Sequence, residues 1–135
     1  MGRLLTLCFD GVPPTANSMY RNSGTHRYKR QEVTEWQDEI AGLMREQWNR
    51  NAVTPGAVEA PCCRSVEVQI EFTVKGRYRW DIDNRLKALL DCLEIGGILA
   101  NDNQIDSLKV TRTRGNKDST RIIVLEYEGE YQCVK

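Results

Sequence analysis

The sequence has 135 residues, 40% of them hydrophobic and 28% charged, with 19 basic and 19 acidic side chains that cancel. That length predicts one domain over residues 1–135 and excludes two ordinary ones, and no apolar run approaches the ~20 residues of a membrane span. The opening stretch soon meets Asp10 and a proline pair, unlike a signal peptide, so a soluble cytoplasmic protein is the expectation.

Residues 3–9 read as a first strand, and Val12-Pro13-Pro14-Thr15-Ala16-Asn17-Ser18 as irregular chain, since proline cannot donate to a ladder. A basic stretch with Arg21, Arg27, Lys29 and Arg30 follows. From about 29 to 50, Val33, Trp36, Ile40, Leu43, Met44 and Trp48 recur every three or four residues and predict an amphipathic helix. Residues 51–63 hold Pro55, Gly56 and Pro61 and read as a connector. Between 66 and 74, apolar Val66, Val68, Ile70, Phe72 and Val74 alternate with polar neighbours, which predicts a half-buried strand.

A second helix is predicted over 82–95. Ile82, Leu86, Leu89, Leu90 and Leu93 share one side, and Asp83, Asn84, Lys87, Asp91 and Glu94 the other. Gly96-Gly97 closes it. Residues 98–103 read as a loop, and 104–113 and 119–128 as two strands around a Gly115–Asp118 turn. The order β-α-β-α-β-β predicts an α+β fold, a small mixed sheet with two main helices packed on it.

Five cysteines in a chain without a secretion pattern argue against a disulfide framework, and one histidine with no C-x-x-C argues against a usual zinc site. The pair Cys62-Cys63 leaves a thiol redox site as one reading. Net neutrality removes the easy argument for nucleic acid, yet the bases crowd locally, at 21–30, at 77–87 and at 112–121. Such patches can steer an anion; they can equally be solvated surface.

The densest acidic site at an element junction is Asp81-Ile82-Asp83-Asn84, which follows a strand and a basic loop and opens a helix. One acid there caps a helix and complements its dipole. A second, with Lys87 one turn beyond Asp83, exceeds what capping needs, although an ordinary ion pair between them would use the same spacing. With Asp102 folded back from the next loop, three carboxylates make an oxygen-only ligand set suited to Mg²⁺, and Lys87 a cation for a phosphodiester transition state. On spacing alone, caps and catalysis both stand.

Asp81-x-Asp83-Asn84-x-x-Lys87-x-x-x-Asp91 followed by Gly97-Ile98-Leu99-Ala100-Asn101-Asp102-x-Gln104-Ile105 resembles the RusA family of Holliday junction resolvases, as do Pro13-Pro14-Thr15-Ala16-Asn17 and Tyr20-Arg21. The resemblance covers nearly the whole chain. It implies a homodimeric, Mg²⁺-dependent endodeoxyribonuclease, often phage- or prophage-encoded, that cuts opposed strands of branched, four-way DNA. Its essential carboxylates match Asp81, Asp83 and Asp102 and its essential lysine Lys87, with Asp91 as a supporting acid. Tyr78 and Trp80 interrupt the family's arginine run, leaving Arg77 and Arg79, with Arg85, as expected phosphate contacts. A nuclease for flaps or forks and a non-catalytic branched-DNA-binding protein are the alternatives.

Overall fold

Parallel pairing of the two strands that flank the second helix sets the architecture. In a computed structural model that describes residues 3–51, 62–76 and 80–128, the main sheet has four strands. They are β1 (Arg3–Asp10), β4 (Val66–Val74), β5 (Ile105–Arg114) and β6 (Ser119–Glu126), in the order β1-β6-β4-β5. β6 runs antiparallel to both β1 and β4, and β4 is parallel to β5. Parallel neighbours need a crossover connection. Helix α2 (Leu86–Ile95) supplies it.

The alternation in β4 is realised as expected. Val66, Val68, Ile70 and Phe72 pack with Leu89, Cys92 and Leu93 of α2 and with Ile40, Met44 and Trp48 of α1 (Gln31–Asn51). Glu67, Gln69, Glu71 and Thr73 alternate with them toward the opposite side of the strand. There Glu67 accepts from Gln69 and Ser107 and lies 3.6 Å from Lys109, and these contacts hold its carboxyl below the usual range.

Two expected elements differ. Residues 20–29, read as a basic loop, form a hairpin of β2 (Tyr20–Ser23) and β3 (His26–Lys29) that stands as a separate two-stranded sheet. Gly24, at φ +62°, makes its turn. The charges hid its alternation. The expected helix over 82–95 begins as a 3-10 turn, Ile82–Arg85, before α2 proper. The loop over 98–103 also gains structure, with Leu99 bridged to Cys62 and a 3-10 turn at Asp102–Gln104. Most of the 51–63 connector, together with Arg77, Tyr78, Arg79 and Cys133, lies outside the described residues.

The two glycines after α2 have separate jobs. Gly97, at φ +70°, donates to the Glu94 carbonyl at 3.0 Å while Ile98 donates to Leu93 at 2.9 Å, which satisfies the free carbonyls of the last turn. Gly96 is a contact residue: a Cβ there would stand 2.9 Å from the Ala41 carbonyl oxygen of α1. Because the obstacle is backbone, Gly96→Ala must push α2 off α1, and an overpacking cost of about 1–3 kcal/mol is expected. Urea unfolding followed by circular dichroism should show a lower midpoint with an unchanged slope.

Candidate active site

The chain reaches the acidic turn through Trp80. Its half-buried ring meets Phe72 edge-on, with centroids 5.2 Å apart. The guanidinium groups of Arg85 and Arg112 lie 4.7 and 5.2 Å from its centroid. Arg112 Nη1 also donates to the Trp80 carbonyl, and Arg85 Nη1 donates to the Pro13 carbonyl at 2.6 Å. Pinning Trp80 fixes where the chain leaves the sheet. The Arg85 bond brings the Pro13-Pro14 segment against the same turn. Arg85, expected to contact phosphate, thus has its guanidinium engaged in packing.

Asp81 precedes the turn in extended conformation (φ −68°, ψ 128°) and makes no side-chain cap. Capping therefore does not account for it. Asp81, Asp83 and Lys87 are all exposed. Lys87 Nζ lies 3.7 Å from Asp91 Oδ2, so the lysine is paired one turn ahead rather than with Asp83. Helical spacing continues this polar stripe to Glu94.

Asp102 is held at the far end of the stripe. Its backbone N–H donates to Glu94 Oε1 at 2.5 Å. The turn it opens is closed by a capping box. Asn101 Oδ1 accepts from the Asn103 N–H at 2.9 Å, and Gln104 Oε1 accepts from the Asn101 N–H at 2.8 Å. Gln104 Nε2 then donates to the Cys62 and Arg64 carbonyls at 2.7 and 3.0 Å. Gln104 and Glu94 are anchors that the sequence pattern alone did not single out. The spacing Asn101-x-x-Gln104 carries the capping-box signal that finds the first.

The structure brings Asp81, Asp83 and Lys87 to one end of α2, with Asp91 one turn along the helix, and Asp102 to the other end. From Leu86 to Glu94 the helix rises ~12 Å at 1.5 Å per residue. The strands agree, because Ile105 pairs with Val66 at the start of β4 while the acidic turn follows its end. Among the described residues no group of three His, Cys, Asp or Glu side chains is placed to hold a metal ion. The donor chemistry of the exposed aspartates still fits a hard cation that keeps several waters and takes one or two carboxylates.

Among the described residues the cysteines join no metal-holding group. Cys62 and Cys92 are buried, and burial, followed by the Asp91 charge, pushes the Cys92 thiol up to about 12. The basic group at 112–121 makes contacts within the chain. Arg112 and Arg114 donate to the Trp80 and Gly76 carbonyls, Lys117 bonds Asp10 at 2.9 Å, and Arg121 lies 3.8 Å from Glu71. The bond to Asp10 raises the Lys117 pKa above its usual value.

Comparison with known proteins adds two findings. The family model described as Endodeoxyribonuclease RusA matches residues 10–125. The crossover junction endodeoxyribonuclease RusA of Aquifex aeolicus (strain VF5) is 32% identical over 92 residues, which is 68% of this chain and 66% of that protein. The chain therefore spans slightly less than two thirds of the relative it matches.

The anchoring of Asp102 is open to test without any assay of activity. Gln104→Ala removes one arm of the capping box and two carbonyl contacts and should cost about 1–2 kcal/mol. Amide hydrogen exchange should accelerate at 101–105 while the strands keep their protection. Uniform acceleration across β4 and β6 would show that Gln104 supports the whole fold and not the turn.

Proposed function

The chain belongs to the endodeoxyribonuclease RusA family, and from that membership we propose that it is a structure-selective endodeoxyribonuclease resolving four-way DNA junctions by paired phosphodiester hydrolysis. The observation that carries the reading is the pair of exposed, uncapping aspartates, Asp81 and Asp83, on a turn that runs directly into the helix bearing Lys87. The proposed ligands of Mg²⁺ are Asp81, Asp83 and Asp102. A bound divalent cation there would supply a water of lowered pKa and neutralise charge on the scissile phosphate.

The chain's own groups act around that ion. Asp81 and Asp83 offer oxygen ligands from a turn that Trp80 and Arg85 hold in place, so little reorganisation is needed when substrate arrives. The Lys87 ammonium faces the developing charge on a phosphoryl or leaving oxygen. Asp91, one turn on, orients Lys87. Arg77 and Arg79, between β4 and Trp80, are proposed phosphate contacts.

A homodimer belongs to the same proposal, for two physical reasons. Two opposed cuts on a two-fold-symmetric junction need two identical sites. Asp102 is also locked at the far end of α2 by five hydrogen bonds through its turn, so a swing of ~12 Å would break its capping box. A second copy can present its own Asp102 turn to the Asp81–Asp83 turn of the first. The natural setting for such an enzyme is the cytoplasm, on replicating or recombining DNA; no described helix is long and apolar enough to cross a membrane.

Mixing two inactive variants tests the site and the pairing together. Asp83→Asn and Asp102→Asn alone should each cut a mobile four-way junction slower by a factor on the order of 10² or more. Co-refolded, they should regain nicking, because a mixed dimer carries one site with every aspartate intact. A mixture that stays inactive would place each complete site within one chain, and a single variant that cuts at the parent rate would remove that aspartate from the site. In EDTA, Asp83→Asn should bind the junction at least as tightly as the parent, since it removes a negative charge facing phosphate.

Lys87→Ala checks the cation separately. Cleavage should fall by about 10²–10³-fold with the melting curve nearly unchanged, because the side chain is exposed. Parent-rate cleavage would exclude Lys87 from the chemistry.

A further inference from the structure

The β2–β3 hairpin is the basic element that the site does not use. Residues 20–30 carry Arg21, Arg27, Lys29 and Arg30 and no acid, in a chain whose net charge is zero. The pairing Tyr20↔Lys29, Arg21↔Tyr28, Asn22↔Arg27 and Ser23↔His26 sorts the side chains onto two faces. One face holds Tyr20, Asn22, Arg27 and Lys29 and is turned to the body. Tyr20 packs on the Met19–Val33–Ala88 cluster, and the Arg27 guanidinium lies 4.0 Å over the Tyr20 ring. Lys29 Nζ donates to Gln37 Oε1 at 2.6 Å. The other face holds Arg21, Ser23, His26 and Tyr28, all exposed, with Tyr28 at 47%.

The hairpin is tied to the candidate site from below. Gln37 is 1% exposed, and its Nε2 donates to the Ala88 carbonyl at 3.0 Å, one residue from Lys87. Arg30 N–H donates to the Met19 carbonyl at 2.8 Å, and Met19 and Ala88 share one buried cluster. The base of the hairpin is therefore fixed to the helix end that carries Asp83 and Lys87. Its outer face is exposed, and no carboxylate pairs with Arg21 or Arg27 among the described residues. The 112–121 group differs, because Lys117 and Arg121 lie beside carboxylates and Arg112 and Arg114 each hold a backbone carbonyl.

We propose that the outer face of the hairpin grips the DNA arm entering the site, with Arg21 on backbone phosphates and Tyr28 on the ring face of a base unstacked at the branch point. The nature of the surface selects its occupant. A rigid basic ribbon without acids suits a polyanion. A half-exposed tyrosine beside an arginine suits bases whose faces are open, as at a branch and not within a continuous duplex. Lys29 and Gln37 are positioning residues here, setting the angle at which the ribbon leaves α2. The proposal rests on the reading of the chain as a branched-DNA nuclease and adds to it the surface that holds the substrate.

The test is binding in EDTA, which is independent of cleavage. Labelled four-way junction and linear duplex of the same sequence are titrated with full-length protein at several salt concentrations. Arg21→Ala should weaken both complexes about tenfold at low salt and make the slope of log K against log salt shallower by about 0.9, the release expected from one lost phosphate contact. Tyr28→Ala should weaken junction binding several-fold more than duplex binding, with the salt slope unchanged. Lys117→Ala, which removes a cation already bonded to Asp10, should leave affinity and slope near the parent values. Unchanged affinity and slope in Arg21→Ala, or an equal loss in Lys117→Ala, would overturn the assignment of the hairpin. Equal losses on both DNAs in Tyr28→Ala would overturn the stacking role. Failure of the nuclease reading shows differently, as cleavage that survives Asp83→Asn while these binding results stand.

Discussion

The parallel pairing of β4 with β5 is the constraint on which the rest of the structure depends. Strands that run the same way cannot be joined by a tight turn, so the chain must travel back along the sheet before it can pair. Helix α2 makes that return, and its length fixes the distance between the turns at its two ends. The Asp81–Asp83 turn is therefore at the end of β4, and the Asp102 turn at the start of β5. The chemistry inherits its spacing from the sheet.

That return also explains why so many polar groups near α2 serve as fasteners. Trp80 is clamped by Arg85 and Arg112 where the chain leaves the sheet, and Gln104 ties the chain to Cys62 and Arg64 where it comes back. Gln37 does the same from α1, with one end on Lys29 and the other on the Ala88 carbonyl. A buried amide left without partners would cost about 1–3 kcal/mol. Satisfied at both ends, it fixes a register between the hairpin, α1 and α2 that apolar contacts alone would leave loose.

Charge in this molecule is divided by use. Around β5 and β6, Arg112 and Arg114 each place one N–H on a backbone carbonyl and Lys117 and Arg121 lie beside acids, so a cluster that is conspicuous in the sequence is partly engaged in the fold. Among the described residues, Arg21 and Arg27 of the hairpin and Asp81 and Asp83 of the turn before α2 have no counter-ion. A neutral chain thus carries both an acid-free basic ribbon and a turn with two exposed aspartates.

Local pattern was enough for much of this. The period of two in Val66–Val74 and the three-to-four spacing in 33–48 each specify one buried face, which is why β4 and α1 were legible from the sequence. The Asp81-x-Asp83-Asn84-x-x-Lys87 spacing likewise marked one end of the candidate site, because those residues are neighbours along the chain. The hairpin was not legible, since its alternation is between polar residues that carry no hydrophobic signal. Nor was the position of Asp102, whose distance from Asp83 depends on the direction in which β5 pairs with β4. Whether an arginine is free or spent was also decided only in three dimensions, because the carbonyls that engage Arg85 and Arg112 come from segments 72 and 32 residues away. Sequence determines what a residue can do with its neighbours in the chain. Strand direction and long-range hydrogen bonds decide which of the remaining groups it meets.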